Sequence, residues 1–212
     1  MRNKFAEVIY KTGLKDNRIC ALVADISPAG AMIKFREKFP KRFINCGVAE
    51  QAMIGIAAGL ALRGMRPFCY TIATFTLYRP FEMVRVDLCY QNLPVTIVGM
   101  GTGTIYSTLG GTHLTQEDIS VARSIPNMNI IAPCDPNELE EAVKYCCTKS
   151  KGPVYLRIGK AGEKNFTNKL SEKWQFGKIR KVHPGKNICI LTFGPIIEKA
   201  FEKKEQLNKK KI

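Results

Sequence analysis

The sequence predicts an α/β fold, a parallel sheet with helices on both faces, followed by the start of a second α/β domain. Three observations lead there. Continuous apolar runs such as residues 19–24 and 95–99 are what strands buried on both faces require. Stretches of helix length alternate with these runs, and Gly and Pro punctuate the joins, so the repeating unit is β-α-β. At 212 residues and 45% hydrophobic content, the chain is able to bury a core of its own.

Taken in order, residues 3–12 read as a helix with Phe5, Val8 and Ile9 on one face and Gly13 at its end, a peripheral element. Residues 19–24 make the first strand, closed by Asp25. Ser27 and Pro28 then cap and open a helix through Phe39. A short strand around Ile44 turns at Gly47 into the run 49–62, which is almost entirely Ala, Met, Ile, Leu and Gly. A helix apolar all round is expected to be buried, and its eleven-residue apolar run, 52–62, is too short to cross a bilayer. Glu50 sits in its first turn. There a carboxylate either satisfies free backbone N–H groups or does chemistry in a desolvated place.

The alternation continues with a strand over 65–74, a helix over 81–91 and a strand over 95–99. Between Phe75 and Phe81 the aromatic residues Phe75, Tyr78 and Phe81 recur every third position, a spacing that also suits plain core. A glycine-rich loop, GMGTGTIYSTLGGTHLTQEDI, follows. It lacks the third glycine of a dinucleotide fingerprint and has no Gly-Lys-Ser/Thr of a phosphate-binding loop. A strand at 129–132 leads to Asp135 as N-cap with Pro136 at the first helical position, and the helix runs over 137–148. Residues 152–160 form the last strand of the domain and its exit.

The domain is expected to span residues 1–160, with a polar, basic linker over 161–187. Residues 188–212 offer one strand, 188–192, and one helix, 196–207. That single β-α unit cannot make a core, so the chain is either a truncated product or docks this unit onto something else.

Composition narrows the function classes. The formal net charge is +15, and residues 161–212 carry a surplus of eight positive charges against seven for the first 160. No aromatic-interleaved basic stripe, helix-turn-helix or zinc finger accompanies the excess, so a solvated surface rather than nucleic acid is expected. Eight cysteines at scattered spacings, and an amino end reading MRNKFAEVIY, point to reduced thiols in a cytosol and to no membrane. With two histidines, neither at ligand spacing from a cysteine pair, no metal site is expected in this chain.

The segment VAEQAMIGIAAGLALRGMRPFCYTIATFTLYRPF resembles the pyrimidine-binding domain of transketolases and of 1-deoxy-D-xylulose-5-phosphate synthases. Gly110, Thr112, His113 and Glu117 match the family's Gly-Thr-His loop, and the Pro-Asn block at 126–127 follows in the right order. The likeness covers roughly residues 20–160, and weakly those from 187 on. It implies a catalytic glutamate at Glu50, which contacts N1′ of the aminopyrimidine of thiamine diphosphate and favours the tautomer that deprotonates the thiazolium. Phe75, Tyr78 and Phe81 become the rings against the pyrimidine, with Tyr78 at the best-matching stacking position. Asp25 falls near the thiazolium, though a strand-end carboxylate is an equally good account of it.

His113 becomes a catalytic and substrate-binding group that faces the sugar, with helix capping as the plain alternative. Lys160 stands where the family carries an arginine for the sugar phosphate, and Arg157 matches the synthase pattern, although a surface lysine after a strand is also common. Two departures concern the substrate: Leu109 replaces the family aspartate that contacts a donor hydroxyl, and Leu114 replaces a glutamine. No Gly-Asp-Gly occurs, so Mg²⁺ and the diphosphate are expected on a separate partner chain, as in split transketolases. The resemblance thus implies a transferase of carbohydrate metabolism, a cytoplasmic homodimer or heterotetramer acting on sugars or sugar phosphates. A β subunit of a 2-oxo acid dehydrogenase and a non-catalytic scaffold or regulatory chain are the alternatives.

Overall fold

The computed structural model describes residues 1–26 and 31–209. Six parallel strands, β1 (Ile19–Val23), β2 (Phe43–Asn45), β3 (Arg66–Ile72), β4 (Thr96–Met100), β5 (Asn129–Ile131) and β6 (Val154–Ile158), pair in the order β2-β1-β3-β4-β6-β5. Every pairing is parallel, as the continuous apolar runs predict. In β1 the residues alternate between two cores: Ile19, Ala21 and Val23 face one layer, while Cys20 and Leu22 face the other.

On one face lie α1 (Arg2–Gly13), α2 (Ala31–Lys38) and, later in the chain, the long helix Pro136–Thr148. The first of these is not peripheral: Phe5 and Ile9 are fully buried, and the Phe5 ring stacks on Tyr70 of β3 at 5.5 Å. Periodicity shows which face of α1 is apolar but not that the sheet centre receives it. The expected cap at Ser27 and Pro28 lies outside the described residues.

On the other face lies α3 (Glu50–Leu62), then α4 (Ala73–Leu77), α5 (Phe81–Met83) continuing into a π-helical stretch (Val84–Tyr90), and α6 (Asp118–Arg123). Here α3 corrects an expectation. Met53, Ile54, Ala57, Ala58 and Ala61 are buried, but Ala52, Gly55, Ile56, Gly59 and Leu62 face outward. A helix apolar all round has one face in this core and one left for another surface.

The helix α7 (Pro136–Thr148) starts as predicted, with Asp135 Oδ1 accepting from Glu138 N at 2.7 Å. Residues 161–187 carry no regular element, yet they are fastened to this helix. Asp135 Oδ2 accepts from the backbone N of Phe166 and Thr167, and Trp174 and Phe176 pack on Tyr145. The strand expected at 188–192 does not form: the segment is exposed and pairs with none of the six strands, and an extended segment without a neighbour has no ladder to complete. The helix α8 (Ile197–Lys209) does form, with Ile197 buried and the Phe201 ring stacked on Phe166 at 4.9 Å.

Among the described residues no helix is long and apolar enough to cross a membrane.

Candidate functional site

Strand order reverses beside β1, with β2 on one side and β3 on the other, and a crevice opens outside the carboxyl ends at such a switch point. There β3 passes directly into α4, which carries Phe75 and delivers Tyr78 and Arg79 in the next turn. Thr76 fixes this short helix: its Oγ1 donates to Ile72 O at 2.8 Å. At the end of β4 the glycine-rich loop begins. Gly103 and Thr115 exchange two backbone hydrogen bonds of 3.1 and 3.0 Å, which close the loop at its base and make 104–114 a projecting lobe.

The two elements meet over a cavity of about 530 Å³ lined by Thr74, Phe75, Tyr78, Arg79, Gly111, Thr112, Leu114, Gln116 and Glu117. That is ample for a ring-sized part of a cofactor or a small sugar. The imidazole of His113 meets the edge of Phe75 with 5.2 Å between centroids, and its Nδ1 shares a hydrogen bond with Thr112 Oγ1 at 2.9 Å. Tyr78 donates its hydroxyl to Glu117 Oε2 at 3.2 Å. Burial, then the charge of Asp118 and the Glu117 hydrogen bond, push the Tyr78 phenol well above its ordinary range, so it serves as a neutral donor.

Glu50 opens α3 and is 2% exposed. It does not cap the helix, whose N-cap is Ala49 without a side-chain hydrogen bond. Its Oε2 accepts instead from Arg79 Nη1 at 2.8 Å, and the same guanidinium lies over the Phe75 ring, 4.6 Å from its centroid. Sequence reasoning missed Arg79. The signal was its place four residues after Phe75 in a helical stretch, which sets ring and guanidinium on one face.

The remaining candidates are placed as follows. Asp25 sits at the end of β1 with φ of 47°, its N donating to Asn45 Oδ1 at 3.0 Å, and it lines no part of the cavity. Phe81 packs against the core on the α3 side rather than into the cavity. Arg157 is committed to Asp118, Nε to Oδ2 at 2.8 Å. Lys160 is exposed, with Nζ 5.0 Å from the centroid of the Tyr106 ring. Leu109 stands open on the lobe, 53% exposed. Among the described residues no three His, Cys, Asp or Glu side chains are grouped to hold a metal ion. The rings of Phe75 and Tyr78 thus stand at one cavity beside the loop that carries His113, and Arg79 links that cavity to the buried carboxylate of Glu50.

Comparison with known proteins identifies the family. Residues 1–162 match the family model described as transketolase, pyrimidine binding domain. The chain is 32% identical over 211 residues to an apulose-4-phosphate transketolase subunit from Phocaeicola vulgatus, covering all of this chain and 67% of that protein. It is 33% identical over 213 residues to a putative transketolase C-terminal section of Methanocaldococcus jannaschii, again with 100% and 67% covered. A solved split-gene transketolase, described as an inactive β4 tetramer, superposes with a TM-score of 0.88 at 31% identity, over 100% of this chain and 68% of that one. Transketolase from Leishmania mexicana, at 22% identity and a TM-score of 0.64, shares the fold over 74% of this chain. The chain thus spans about two thirds of the length of its split-subunit relatives. From the sequence match and the shared architecture together, the chain belongs to the transketolase family, as the pyrimidine-binding, carboxyl-terminal subunit of the split kind.

Proposed function

We propose that this chain is the pyrimidine-binding half of a thiamine diphosphate-dependent, transketolase-like enzyme that moves a two-carbon ketol unit between sugar phosphates or related sugars. One observation carries the reading: the buried carboxylate of Glu50, reached through Arg79 from the aromatic side of the cavity. Thiamine diphosphate, when bound, supplies a nucleophilic carbon able to cleave and form carbon–carbon bonds. The chain's own residues do the rest. Glu50 holds a proton at N1′ of the aminopyrimidine, and Phe75 and Tyr78 present aromatic faces to the ring. His113, on its pinned lobe, moves a proton at the substrate carbonyl or hydroxyl. Lys160 offers an exposed ammonium to an acidic sugar. Two relatives fit that last role, since apulose-4-phosphate and 6-deoxy-6-sulfo-D-fructose both carry an anionic group.

Mg²⁺ and the diphosphate fall to a separate subunit in this reading, because the chain has no Gly-Asp-Gly. The outward face of α3, where Ile56 and Leu62 are 42% and 63% exposed and Val48 precedes them at 73%, is the surface on which another subunit packs. Residues 188–212 belong to the opening of a second domain, whose described helix is held by Ile197 and Phe201. The exposed Leu109 favours the one alternative retained, a regulatory chain that keeps the fold without the chemistry.

The test is a calorimetric titration of thiamine diphosphate with Mg²⁺ into the chain alone, then into the chain with the diphosphate-binding subunit that co-purifies with it. Binding in the mixture only is expected, with turnover in the complex that drops about a hundredfold or more in Glu50→Gln. Normal turnover by that folded variant overturns the proposal, and absence of heat in both titrations moves the assignment to the regulatory chain.

A further inference from the structure

We infer that Arg79 is a placeholder: its guanidinium occupies the recognition position of the aminopyrimidine and must swing out for the cofactor to enter. The inference rests on the reading of Glu50 as the aminopyrimidine's partner.

Glu50 is 2% exposed, and its carboxylate left alone in that environment would be a desolvated, unpaired charge. Arg79 relieves it with a single hydrogen bond, Nη1 to Oε2 at 2.8 Å. What the guanidinium does at the same moment is specific. It is a flat group that points an in-plane N–H at the carboxylate and lays its face over Phe75, 4.6 Å from the ring centroid. An aminopyrimidine held by Glu50 makes the same pair of contacts, an in-plane nitrogen to the carboxylate and a π-face to an aromatic ring. An aminopyrimidine set against that oxygen and that ring face would collide with the guanidinium.

The exposures decide which one leaves. Glu50 is locked in the first turn of α3, whereas the Arg79 side chain is 42% exposed and has no other hydrogen-bond partner among the described residues. Arg79 keeps its access to solvent, and the carboxylate it releases is taken up by the entering aminopyrimidine, so the exchange leaves no buried charge unpaired. The arginine therefore keeps the half-site charged and filled until the other half, and the cofactor, arrive. It is a positioning residue acting through Glu50, and it lowers the affinity of the chain for thiamine diphosphate by competing for the same place.

The test uses the full chain with its diphosphate-binding subunit and follows the arginine side-chain N–H signals by ¹⁵N NMR, Arg79 being assigned by the signal missing from Arg79→Lys. In the free complex the Arg79 signal is expected to be protected from exchange, and it is lost on saturation with thiamine diphosphate and Mg²⁺. Arg79→Ala is expected to lower the dissociation constant about tenfold or more, and Glu50→Ala to abolish binding. An Arg79 signal that persists at saturation, or an Arg79→Ala dissociation constant equal to or above that of the wild type, overturns the placeholder alone. Failure of thiamine diphosphate to bind any form, Arg79→Ala included, overturns the functional reading and the placeholder with it.

Discussion

The hydroxyl of Tyr155, near the start of β6, donates to Asp118 Oδ2 at 2.8 Å, and Asp118 opens α6 with no exposure to solvent at all. Arg157, two residues along the same strand, donates to the same oxygen at 2.8 Å. The end of the glycine-rich loop is thus tied to the last strand. Room for the tyrosine comes from Gly99 in β4, where a Cβ would stand 2.7 Å from the hydroxyl.

From that knot follows the first prediction. Asp118→Asn keeps the shape and removes the charge that Arg157 answers, leaving a largely buried guanidinium beside a neutral amide. A loss of about 3 kcal/mol is expected, since breaking one partner of a buried pair strands the other. Thermal unfolding checks it, with a drop on the order of 6–12 °C for a chain of this size. A change of a degree or less would show that Arg157 finds another partner.

Asp135 supports a second prediction. It is fully buried, caps α7 through Glu138 N, and accepts from Phe166 N and Thr167 N at 2.8 and 2.7 Å. Asp135→Ala removes the cap and leaves buried N–H groups without partners, a cost of about 3 kcal/mol or more. Thr167→Val deletes only the hydroxyl that bonds the same carboxylate, about 1 kcal/mol. Trypsin should cut Asp135→Ala at Lys169 and Lys173 well before the wild type. Equal digestion rates would mean that residues 161–187 are held by their packing on Tyr145 instead.

How much of this was legible in the sequence depends on the range of the interaction. Local rules read the Asp135-Pro136 cap, the buried strands β1, β4 and β6, and the lobe that carries His113. Long-range partners were not readable. Nothing in residues 50 and 79 says that they meet, and the stacking of Phe5 on Tyr70 is a property of the assembled sheet. The run 188–192 has the composition of a strand, but a strand also needs a neighbour, and composition does not provide one. Phe81 shares the three-residue spacing of Phe75 and Tyr78 yet turns into the core, because α5 starts a new helical stretch after Pro80.

Gly101 carries the third prediction. Its φ is +73°, and a Cβ there would lie 2.0 Å from Tyr106 Cε2. Gly101→Ala meets both backbone strain and overpacking, about 2–4 kcal/mol together. Tyr106 is the ring beneath Lys160 and 6.3 Å from His113. The His113 ring-proton shifts should therefore move along with the loss of stability. Unmoved shifts in a destabilised variant would show the lobe to be independent of Tyr106.

Thiol chemistry gives the last prediction. All eight cysteines are free, and burial pushes Cys20, Cys89, Cys146 and Cys147 from 9 up to about 12. Cys46, Cys69 and Cys134 are also raised by burial. Only a thiolate alkylates readily, so iodoacetamide at pH 8 should label the exposed Cys189 first and leave the buried thiols until the chain unfolds. The sign for stability follows from the same shifts. The unfolded chain gives up its thiol protons near pH 9 while the folded chain keeps them to about 12, so over that window the unfolded state binds fewer protons. The stabilising contribution is complete below pH 9 and is lost as pH rises, at up to about 1.4 kcal/mol per pH unit for each such thiol. Tyr70 and Tyr155, their phenols raised by burial, add in the same direction. Urea unfolding at pH 8 and pH 10 should show lower stability at pH 10, and an unchanged midpoint would mean that the buried thiols reach solvent in the folded chain.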